Sequence, residues 1–237
     1  MKCLDLTLPA PSANLACDEA LLDACEDSPG AEMLRFWEPR QYFVVLGYGN
    51  RAELEVNLAA CREGNIGVYR RCSGGGTVLQ GPGCLNYSLI LNIAGDPALR
   101  SIGSANRHIM ERQRQALAGV LGREVSVAGI TDLTLGGQKF CGNAQRRKRR
   151  ALLFHGAFLL RFNIALMQEF LPMPSRHPDY RQGRPHGQFL TNLDVPAAVI
   201  KGALREAWLA GESCQVPPAI PPGLERKYAG EEWNMKF

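Results

Sequence analysis

The sequence predicts an α/β protein of the α+β type, in which helices flank a mixed, largely antiparallel sheet. Short apolar runs follow one another at spacings that leave no room for the crossover helices of an all-parallel sheet. Several longer segments instead carry apolar residues at helical spacing. The 237 residues are 46% hydrophobic and 21% charged. This composition suffices for a globular core and excludes collagen-like, coiled-coil and disordered chains.

The first hundred residues predict two helices and five short strands. Apolar residues at helical spacing predict a helix over Asn14–Ala24, with Asn14 as its N-cap. A second helix, Ala52–Glu63, ends at Gly64-Asn65. Turn-forming residues separate the apolar runs between and after them. These runs predict strands over Leu34–Trp37, Tyr42–Leu46, Ile66–Arg71, Thr77–Leu79 and Leu85–Ile93.

The remaining chain opens with the clearest helical pattern, Ser101–Leu121, which Gly122 ends. Gly136-Gly137 predicts a hairpin turn between two later strands. The predicted strands are Glu124–Ala128, Leu133–Leu135, Lys139–Cys141 and Ala151–Arg161. Two further helices, a basic proline-rich loop and a proline-rich tail complete the chain, at Ile164–Phe170, Ala197–Ala210, Pro172–Pro185 and from Pro217 onward.

The net charge of +4 is unevenly distributed along the chain. Residues 1–34 carry one cation and seven acids, so that this segment has a net charge of −6. Half of the +10 on the remaining chain lies in one run, Arg146, Arg147, Lys148, Arg149 and Arg150. The basicity is therefore one patch, which does not favour a general nucleic-acid-binding surface.

The termini and the cysteines indicate the compartment. No apolar stretch approaches the ~20 residues needed to span a bilayer, and Asp5 lies where a signal peptide requires an apolar core. We therefore expect a cytoplasmic protein without a membrane partner. The eight cysteines include no Cys-x-x-Cys pair, so no metal site is predicted, and most should be small buried side chains.

A glycine-rich turn at Gly47–Ala52 matches the pattern G-x-G-x-x-A between a predicted strand and a predicted helix. This is the context of a dinucleotide-binding turn, and Arg70-Arg71 end the next strand, where an NADP-binding protein holds a 2′-phosphate. The alternating βα pattern does not continue along the chain. We therefore favour a plain strand-to-helix turn and keep an NADP-dependent oxidoreductase as an alternative.

A second glycine-rich turn directly follows Arg70 and Arg71. Gly74, Gly75 and Gly76 have no Cβ, so a ligand could lie on the backbone and meet its N–H groups. Guanidinium groups suit phosphate or carboxylate, although the spacing and the lysine of a P-loop are absent. We expect an anion-binding turn here; a flexible hairpin with exposed arginines is the alternative.

A third candidate is Lys139, which lies in an apolar strand between Asp132 and His155. Gly142 and Ala144 follow it and leave space beside its side chain. With the arginine–glycine turn, Lys139 would place cations around a single anionic ligand. An ordinary surface lysine is the alternative.

In this order and spacing, the motifs resemble the lipoate–protein ligase A family, within the wider biotin and lipoate ligase superfamily. The signatures that carry the resemblance are Arg70-Arg71-x-Ser73-Gly74-Gly75-Gly76-x-Val78, Gly137-x-Lys139-x-x-Gly142-x-Ala144 and His155-Gly156. Segments similar to the family's opening and closing elements are Ala16–Ala20, Leu34–Trp37 and Lys227–Asn234. The resemblance implies one catalytic domain over residues 1–237, with a fold like that of class II synthetases and biotin ligases.

The resemblance also implies a two-step reaction. ATP, accompanied by Mg²⁺, activates lipoate or octanoate to an acyl-adenylate, and the acyl group then passes to a lysine of a lipoyl carrier, an H-protein-like protein or an E2 lipoyl domain. Lys139 would stabilise charge as the carbonyl is attacked and would not be the nucleophile. The strand Phe43–Leu46 could line the acyl slot. Contacts to ATP and acyl-adenylate are implied for Arg70, Arg71, Gly74, Gly75, Gly76, Thr77, Val78, Leu79, Asn86, Asp132, Gly142, Ala144 and His155.

Two departures from the family pattern leave alternatives open. The segment 78–83 ends in Gly-Pro-Gly instead of continuing as Val-x-His-Asp, and so resembles the octanoyltransferase branch, which uses a cysteine nucleophile. Cys84 and Cys141 lie near the motifs but not at that branch's nucleophile positions, and Lys139 would lower the pKa of Cys141. An acyltransferase is therefore the main alternative. The closing element lies three residues before Phe237, so a separate small accessory protein could assist adenylation, the one domain could suffice, or adenylation could be lost.

The basic run Arg146–Arg150 directly follows the lysine motif. Because lipoyl carriers are commonly acidic, we expect this run to dock the carrier beside the active site. A solvated loop and a nucleic-acid-binding segment are the alternatives, although no aromatic residues interleave with the run.

Overall fold

A computed structural model describes residues 1–28, 30–214 and 219–237 of the chain. The strands are β1 (Lys2–Asp5), β2 (Met33–Trp37), β3 (Phe43–Leu46), β4 (Gly67–Arg70), β5 (Val78–Gln80), β6 (Cys84–Asn92), β7 (Ser126–Ala128), β8 (Asp132–Leu135), β9 (Gln138–Arg147), β10 (Ala151–Leu159) and β11 (Glu212–Ser213). The α-helices are α1 (Pro11–Asp27), α2 (Ala52–Glu55), α3 (Leu58–Glu63), α4 (Ile102–Leu121), α5 (Met167–Phe170), α6 (His186–Phe189), α7 (Ala197–Ala207), α8 (Pro222–Ala229) and α9 (Glu231–Asn234).

These strands form a large and a small sheet. The large sheet has the order β11-β1-β2-β6-β10-β9-β8-β7, and the small sheet has the order β4-β3-β5. In the large sheet β1 runs parallel to β2 and β11, whereas the other neighbouring strands pair antiparallel. The predicted mixed, largely antiparallel sheet flanked by helices is confirmed.

Different helices pack on the two faces of the large sheet. Along β6, Leu89 packs in one apolar cluster with Ile109 of α4 and Ile200 of α7. Its neighbour Ile90 points the other way, into a cluster with Leu21 of α1. This alternation of successive side chains is the ordinary period of a strand. As a result, α4 and α7 cover one face, and α1 covers part of the other.

The sequence signals at two element boundaries are confirmed. α4 begins after Ser101, whose hydroxyl accepts a hydrogen bond from the backbone N–H of Ser104, and ends at Gly122, which has a left-handed φ of 58°. Gly136 and Gly137 have φ values of 55° and 78° in the turn between β8 and β9. Both turns need a backbone that side chains with a Cβ rarely adopt.

Three predicted elements differ from the structure. Asn14 is not an N-cap, because α1 begins three residues earlier and the Asn14 amide donates to the carbonyl of Leu8. The predicted helix 52–63 is two helices, since Val56 is extended (φ −136°, ψ 134°) between α2 and α3. β9 continues to Arg147 instead of ending at Cys141, because its residues from Cys141 to Arg147 pair with β10.

The sequence patterns missed β1, β11, α6, α8 and α9. The two strands are only four and two residues long and α6 is a single turn of four residues, which is too short for a period to show. The helices α8 and α9 lie in the predicted proline-rich tail. Pro217, from which that tail was expected to run, lies outside the described residues. No described helix combines the length and apolarity needed to cross a lipid bilayer.

Candidate active site

A cavity of about 610 Å³ lies on the face of the large sheet that is turned toward α1 and the small sheet. One row of paired residues crosses four strands of its floor, from Trp37 through Asn86 and Ala157 to Gly142. All four line the cavity. The pairing of β2, β6, β10 and β9 therefore builds the floor from residues that are far apart in sequence.

A β-bulge in β9 directs Lys139 into this cavity. Leu133 pairs with Cys141 and Thr134 pairs with Lys139, which leaves Phe140 without a partner on β8. A bulge interrupts the regular alternation of side chains along a strand. Lys139 and Gly142 consequently lie on the same side of β9, although they are three positions apart.

Gly142 provides the space that Lys139 occupies. A Cβ on Gly142 would lie 2.5 Å from Nζ and 2.6 Å from Cε of Lys139. These distances are well inside van der Waals contact. The expectation that small residues after Lys139 leave space beside it is confirmed at this position.

The Lys139 ammonium is paired with Asp132. Its Nζ lies 2.8 Å from Oδ1 of Asp132, and the lysine side chain is 25% exposed. Tyr180 donates its hydroxyl proton to Oδ2 of the same carboxylate at 2.8 Å. Both Asp132 oxygens are therefore engaged, and the ligand-facing cation is held by one carboxylate that is itself fixed by a tyrosine.

Arg71 organises the triglycine turn. Its guanidinium donates to the carbonyls of Gly74 and Gly76 at 2.6 and 2.8 Å, and its Nε donates to the Ser73 hydroxyl at 3.0 Å. Burial lowers the pKa of Arg71 to about 10, but this value is still high enough for the guanidinium to be charged near neutral pH. Arg71, Gly76, Thr77, Val78 and Leu79 line the cavity, whereas Gly74 and Gly75 do not.

Arg70 does not face the cavity, which corrects its expected place at the nucleotide. Its fully buried side chain donates to the carbonyls of Gly47, Tyr48, Asn50, Trp233 and Asn234. It therefore ties α9 to the turn after β3. That turn, the one with the dinucleotide-like pattern, is bonded to the triglycine turn through Tyr48 N–H and the carbonyl of Ser73.

His155 belongs to a buried polar chain that reaches the cavity. Its Nε2 lies 2.5 Å from the Ser73 hydroxyl, and its Nδ1 lies 3.7 Å from Oδ2 of Asp18. Asp18 also pairs with Arg35 at 2.5 Å. Burial raises the pKa of Asp18, but Arg35 and His155 outweigh it and hold this pKa below its ordinary value. This chain of polar side chains, from Ser73 through His155 and Asp18 to Arg35, connects the triglycine turn to α1 and β2.

The remaining sequence-predicted contacts gather around the same space. Asn86, Asp132, Lys139, Gly142, Ala144 and His155 all line the cavity. Of the strand expected to form the acyl slot, only Val45 does so. The apolar lining comes instead from several elements, with Leu15, Trp37, Val45, Leu79, Leu159, Met167 and Leu171. The cavity thus combines a cationic part with an apolar part.

Neither cysteine at the cavity is an activated thiol. Cys84 and Cys141 both line it, and both are almost fully buried. Burial raises the pKa of Cys84 to about 12. Burial likewise raises the pKa of Cys141 far above its ordinary value, and Lys139 only partly opposes the effect. The expectation that Lys139 lowers this pKa enough to make Cys141 reactive is therefore wrong.

The basic run lies on the hairpin between β9 and β10, next to the acidic part of α1. Lys148 pairs with Asp23 at 2.5 Å. Glu26 accepts hydrogen bonds from the backbone of Arg150 and Ala151, which lower its pKa. The two oppositely charged blocks of the sequence thus meet in the fold and partly neutralise each other.

The other side chains of the basic run differ in whether they are bonded to the protein or exposed to solvent. Arg147 donates to the carbonyls of Leu99 and Arg100, whereas Arg146 and Arg149 are exposed. Arg146 follows Lys139 by seven positions along β9, a span of about 23 Å at 3.3 Å per residue. The run is therefore close to the proposed catalytic lysine in sequence, but it lies at the far end of β9.

The structure adds three residues at this site that the sequence patterns missed: Tyr180, Arg181 and His186. They come from the segment predicted as a basic proline-rich loop and from the helix that follows it. Arg181 and His186 line the cavity, and Tyr180 holds Asp132. The sequence feature that could have identified these residues is the concentration of arginine and histidine among aromatic residues in this segment.

The cavity offers no ready-made cage for a resident metal ion. Among the described residues, no group of three or more histidine, cysteine, aspartate or glutamate side chains is arranged to hold one. Asp132, one of the expected ATP and acyl-adenylate contacts, is already bonded at both oxygens.

Comparison with known proteins places this site in a family. A family model described as the lipoyl protein ligase A/B catalytic domain matches residues 10–195. The octanoyltransferase LipM of Lysinibacillus sphaericus is 28% identical over 96% of this chain and 95% of its own length. This relative therefore extends over almost the same length as the present chain.

Solved structures share the fold. The bi-partite lipoate protein ligase of Thermoplasma acidophilum, described with its E2 lipoyl domain, is 24% identical and superposes with a TM-score of 0.81, covering 99% of this chain and 95% of that one. A lipoate-protein ligase A bound with ATP is also 24% identical, with a TM-score of 0.79 and 99% coverage of both chains. The expected ligase-like fold is confirmed.

Proposed function

Because the chain belongs to the lipoyl protein ligase A/B catalytic domain family, we propose that it is a lipoate–protein ligase. It activates lipoate or octanoate with ATP and transfers the acyl group to a lysine of a lipoyl carrier protein. Residues 1–237 act as one catalytic domain. The single observation that carries the ATP-dependent route is the burial of Cys84 and Cys141, the two cysteines that line the cavity, which raises the pKa of both thiols and so disfavours a cysteine nucleophile.

The thiols of Cys84 and Cys141 are poor nucleophiles at neutral pH. Only the thiolate attacks a thioester. Burial raises the pKa of Cys84 to about 12 and raises that of Cys141 far above its ordinary value. Near pH 7 a thiol with a pKa of about 12 is ionised in roughly one molecule in 10⁵. An acyl-adenylate avoids this difficulty, because ATP activates the carboxyl group and no cysteine has to act as a nucleophile.

The cationic part of the cavity suits both chemical steps. In the first, a carboxylate oxygen of the acid attacks the α-phosphorus of ATP, and pyrophosphate leaves. In the second, the neutral carrier amine attacks the acyl carbonyl, the bond to phosphate breaks, and AMP leaves with the electron pair while the amine loses a proton. Lys139 stabilises the negative charge that develops on phosphate and carbonyl oxygens in both steps.

The Lys139–Asp132 pair keeps this cation ready. The carboxylate holds the ammonium within 2.8 Å, and Tyr180 holds the carboxylate. An incoming phosphate can replace Asp132 as the counter-charge without a large movement of the lysine. Arg71 shapes the triglycine turn, so that Gly76 to Leu79 present backbone to the nucleotide. The apolar lining around Val45 and Met167 receives the acyl chain.

The carrier is an acidic lipoyl domain, either of the E2 type or H-protein-like. The related bi-partite ligase is described together with its E2 lipoyl domain. On this chain the exposed Arg146 and Arg149 are the members of the basic run best placed to meet an acidic carrier. A folded domain of ~80 residues is about 30 Å across. One carrier could therefore contact the hairpin and still present its lysine to Lys139, about 23 Å away.

A cysteine-dependent octanoyltransferase is the second candidate. The name and the full-length coverage of the Lysinibacillus sphaericus relative favour it. For that route Cys84 or Cys141 would have to become accessible and lose a proton when substrate binds. The two candidates differ in whether ATP or an acyl thioester supplies the activation.

The direct test is lipoate-dependent exchange of radioactive pyrophosphate into ATP by the purified chain. The ligase exchanges label only when lipoate or octanoate is present, and the double variant C84S/C141S exchanges at a rate within about threefold of the wild type. The same assay is repeated with a candidate small accessory protein. Absence of exchange in every arm, together with thioester-dependent transfer that C84S/C141S abolishes, would establish the transferase instead.

A further inference from the structure

Arg181 is a buried arginine in the cavity wall that the ligase chemistry above does not use. It belongs to the short 3-10 turn Asp179–Arg181, and its residue exposure is only 3%. Its Nε donates to the carbonyl of Arg184 at 2.9 Å, and its guanidinium lies over the Phe189 ring at 4.8 Å. These two contacts orient the guanidinium but leave most of its donors free.

No carboxylate compensates this buried charge. Among the described residues Arg181 forms no ion pair within 4 Å, and one of its terminal nitrogens is buried without a hydrogen-bond partner. Asp132, the carboxylate that the neighbouring Tyr180 contacts, is already shared by Tyr180 and Lys139. Burying an unpaired cation is costly, and natural proteins rarely retain one without a counter-charge.

The surroundings of Arg181 add positive or neutral groups. His186 also lines the cavity, and its pKa falls to about 4 because of burial and the nearby Arg181, so that it is neutral at pH 7. Arg184 contributes a further positive charge beside Arg181. Asp179 of the same turn also lines the cavity, but neither it nor any other carboxylate of the described residues forms an ion pair with Arg181.

This wall adjoins the catalytic lysine. Tyr180, the preceding residue, contacts the carboxylate that holds Lys139. On the other side, Leu190 follows α6 and forms an isolated bridge with Lys139, and the N–H of Thr191 donates to the Lys139 carbonyl at 3.0 Å. The segment 180–191 thus fixes Arg181 at the Lys139 end of the cavity.

We propose that Arg181 binds a phosphate oxyanion of the acyl-activating substrate, in addition to the one near Lys139. The guanidinium fork, held at Nε and stacked on Phe189, presents its terminal nitrogens as a bidentate partner for phosphate. That this phosphate belongs to the polyphosphate of ATP rests on the proposed function. A phosphopantetheine thioester carries a phosphodiester of the same chemistry and is the other source of such an oxyanion.

The experiment compares ligands that differ only in phosphate. Binding of MgATP and of adenosine is measured by calorimetry for the wild type, R181Q, R181K and the control R161Q. Arg161 is a matched control because its side chain is 70% exposed and its substitution removes the same charge outside the cavity. R181Q is expected to weaken MgATP binding about 10- to 100-fold and to leave adenosine binding within twofold. R181K is expected to recover part of the loss.

A second arm uses acyl thioesters. Transfer from an octanoyl acyl carrier protein, which has the phosphodiester, is compared with transfer from octanoyl-N-acetylcysteamine, which lacks it. If the wild type binds no MgATP but R181Q raises KM for the carrier-protein thioester alone, the phosphate role of Arg181 stands and the ligase proposal falls.

Two results would overturn the inference. If the wild type binds MgATP and R181Q binds it as well as R161Q does, Arg181 has no phosphate role, whereas the ligase proposal survives. If R181Q and R181K lose MgATP and adenosine binding to the same extent, the residue only supports the cavity wall.

Discussion

The substitution Gly142→Ala isolates the position of the Lys139 ammonium from the stability of the fold. The added Cβ would lie 2.5 Å from Nζ and 2.6 Å from Cε of Lys139, and 3.5 Å from the nearest Asp132 oxygen. Only the lysine is therefore displaced, since the last distance is an ordinary contact. Gly142 does not have a left-handed φ, so that alanine fits the backbone there.

The size of the effect follows from these distances. Carbon atoms prefer separations of about 3.5–4.0 Å, so the end of the lysine must retreat by about 1 Å. A misplacement of this size in an active site can lower the rate about 100-fold. The displaced atoms form the flexible end of a side chain, so we expect a loss of only about 1 kcal/mol of unfolding free energy, at the low end of overpacking effects.

The assay is acyl transfer to a lipoyl domain, measured beside thermal unfolding. G142A should transfer about 100-fold more slowly while its Tm falls by about 2–4 °C. Gly119→Ala is the matched control, because Gly119 lies in α4 with nothing within 4 Å of the added Cβ. It should leave transfer unchanged and stabilise the protein by about 0.5–1 kcal/mol. Transfer by G142A at the G119A rate would refute the steric reasoning about Lys139.

Three further outcomes follow from the same contacts. Lys139→Ala should reduce acyl transfer at least 100-fold, because no other side chain replaces its charge at the carbonyl; transfer at a wild-type rate would remove the assigned role. Arg149→Gln should slow transfer to the carrier at low salt, whereas Lys148→Gln, which removes the same charge at a residue already paired with Asp23, should do so much less, and equal effects in rate–salt titrations would contradict docking through exposed charge. Between about pH 6.5 and 4, unfolded His186 binds a proton that the folded, buried form excludes, so stability should fall as the pH falls, and His186→Asn should fall less steeply in urea titrations. Equal slopes for the two proteins would show that His186 is not the group responsible.

The sequence predicted the structure best where a local steric requirement selects a single residue type, which here is glycine. Gly122 and Gly136 mark turns with left-handed φ, and both boundaries agree with the structure. Lys139 with Gly142 also followed from local pattern, because a glycine three positions after the lysine leaves the space that the ammonium uses. Short-range steric rules of this kind need no knowledge of the fold.

What the sequence could not provide depends on pairing between distant segments. The bulge at Phe140 exists only because β9 pairs with β8, and it decides the side on which Lys139 lies. Adjacent arginines also proved different: Arg71 shapes the turn at the cavity, whereas Arg70 points away to α9. Alternation along a strand predicts that neighbours diverge, but not which of the two faces the ligand.

The reactivity of the cysteines is the third example. Lys139 lies two residues from Cys141 in sequence and was expected to lower the pKa of its thiol. Burial dominates instead and raises this pKa, because the sulfur is enclosed beside Asn143 and Tyr87. Desolvation depends on everything that surrounds a group. A charged residue nearby in the sequence therefore does not determine whether the pKa of a thiol is raised or lowered.

Intact-mass analysis of a lipoyl domain distinguishes most directly between activation by ATP, which we propose, and activation through a cysteine thioester. The C84S/C141S variant is incubated with the domain and either MgATP with lipoate or an octanoyl acyl carrier protein without ATP. We predict that one lipoyl group is added in the first reaction at close to the wild-type rate. Modification only in the ATP-free reaction of the wild type, and none by the variant in either reaction, would contradict the account.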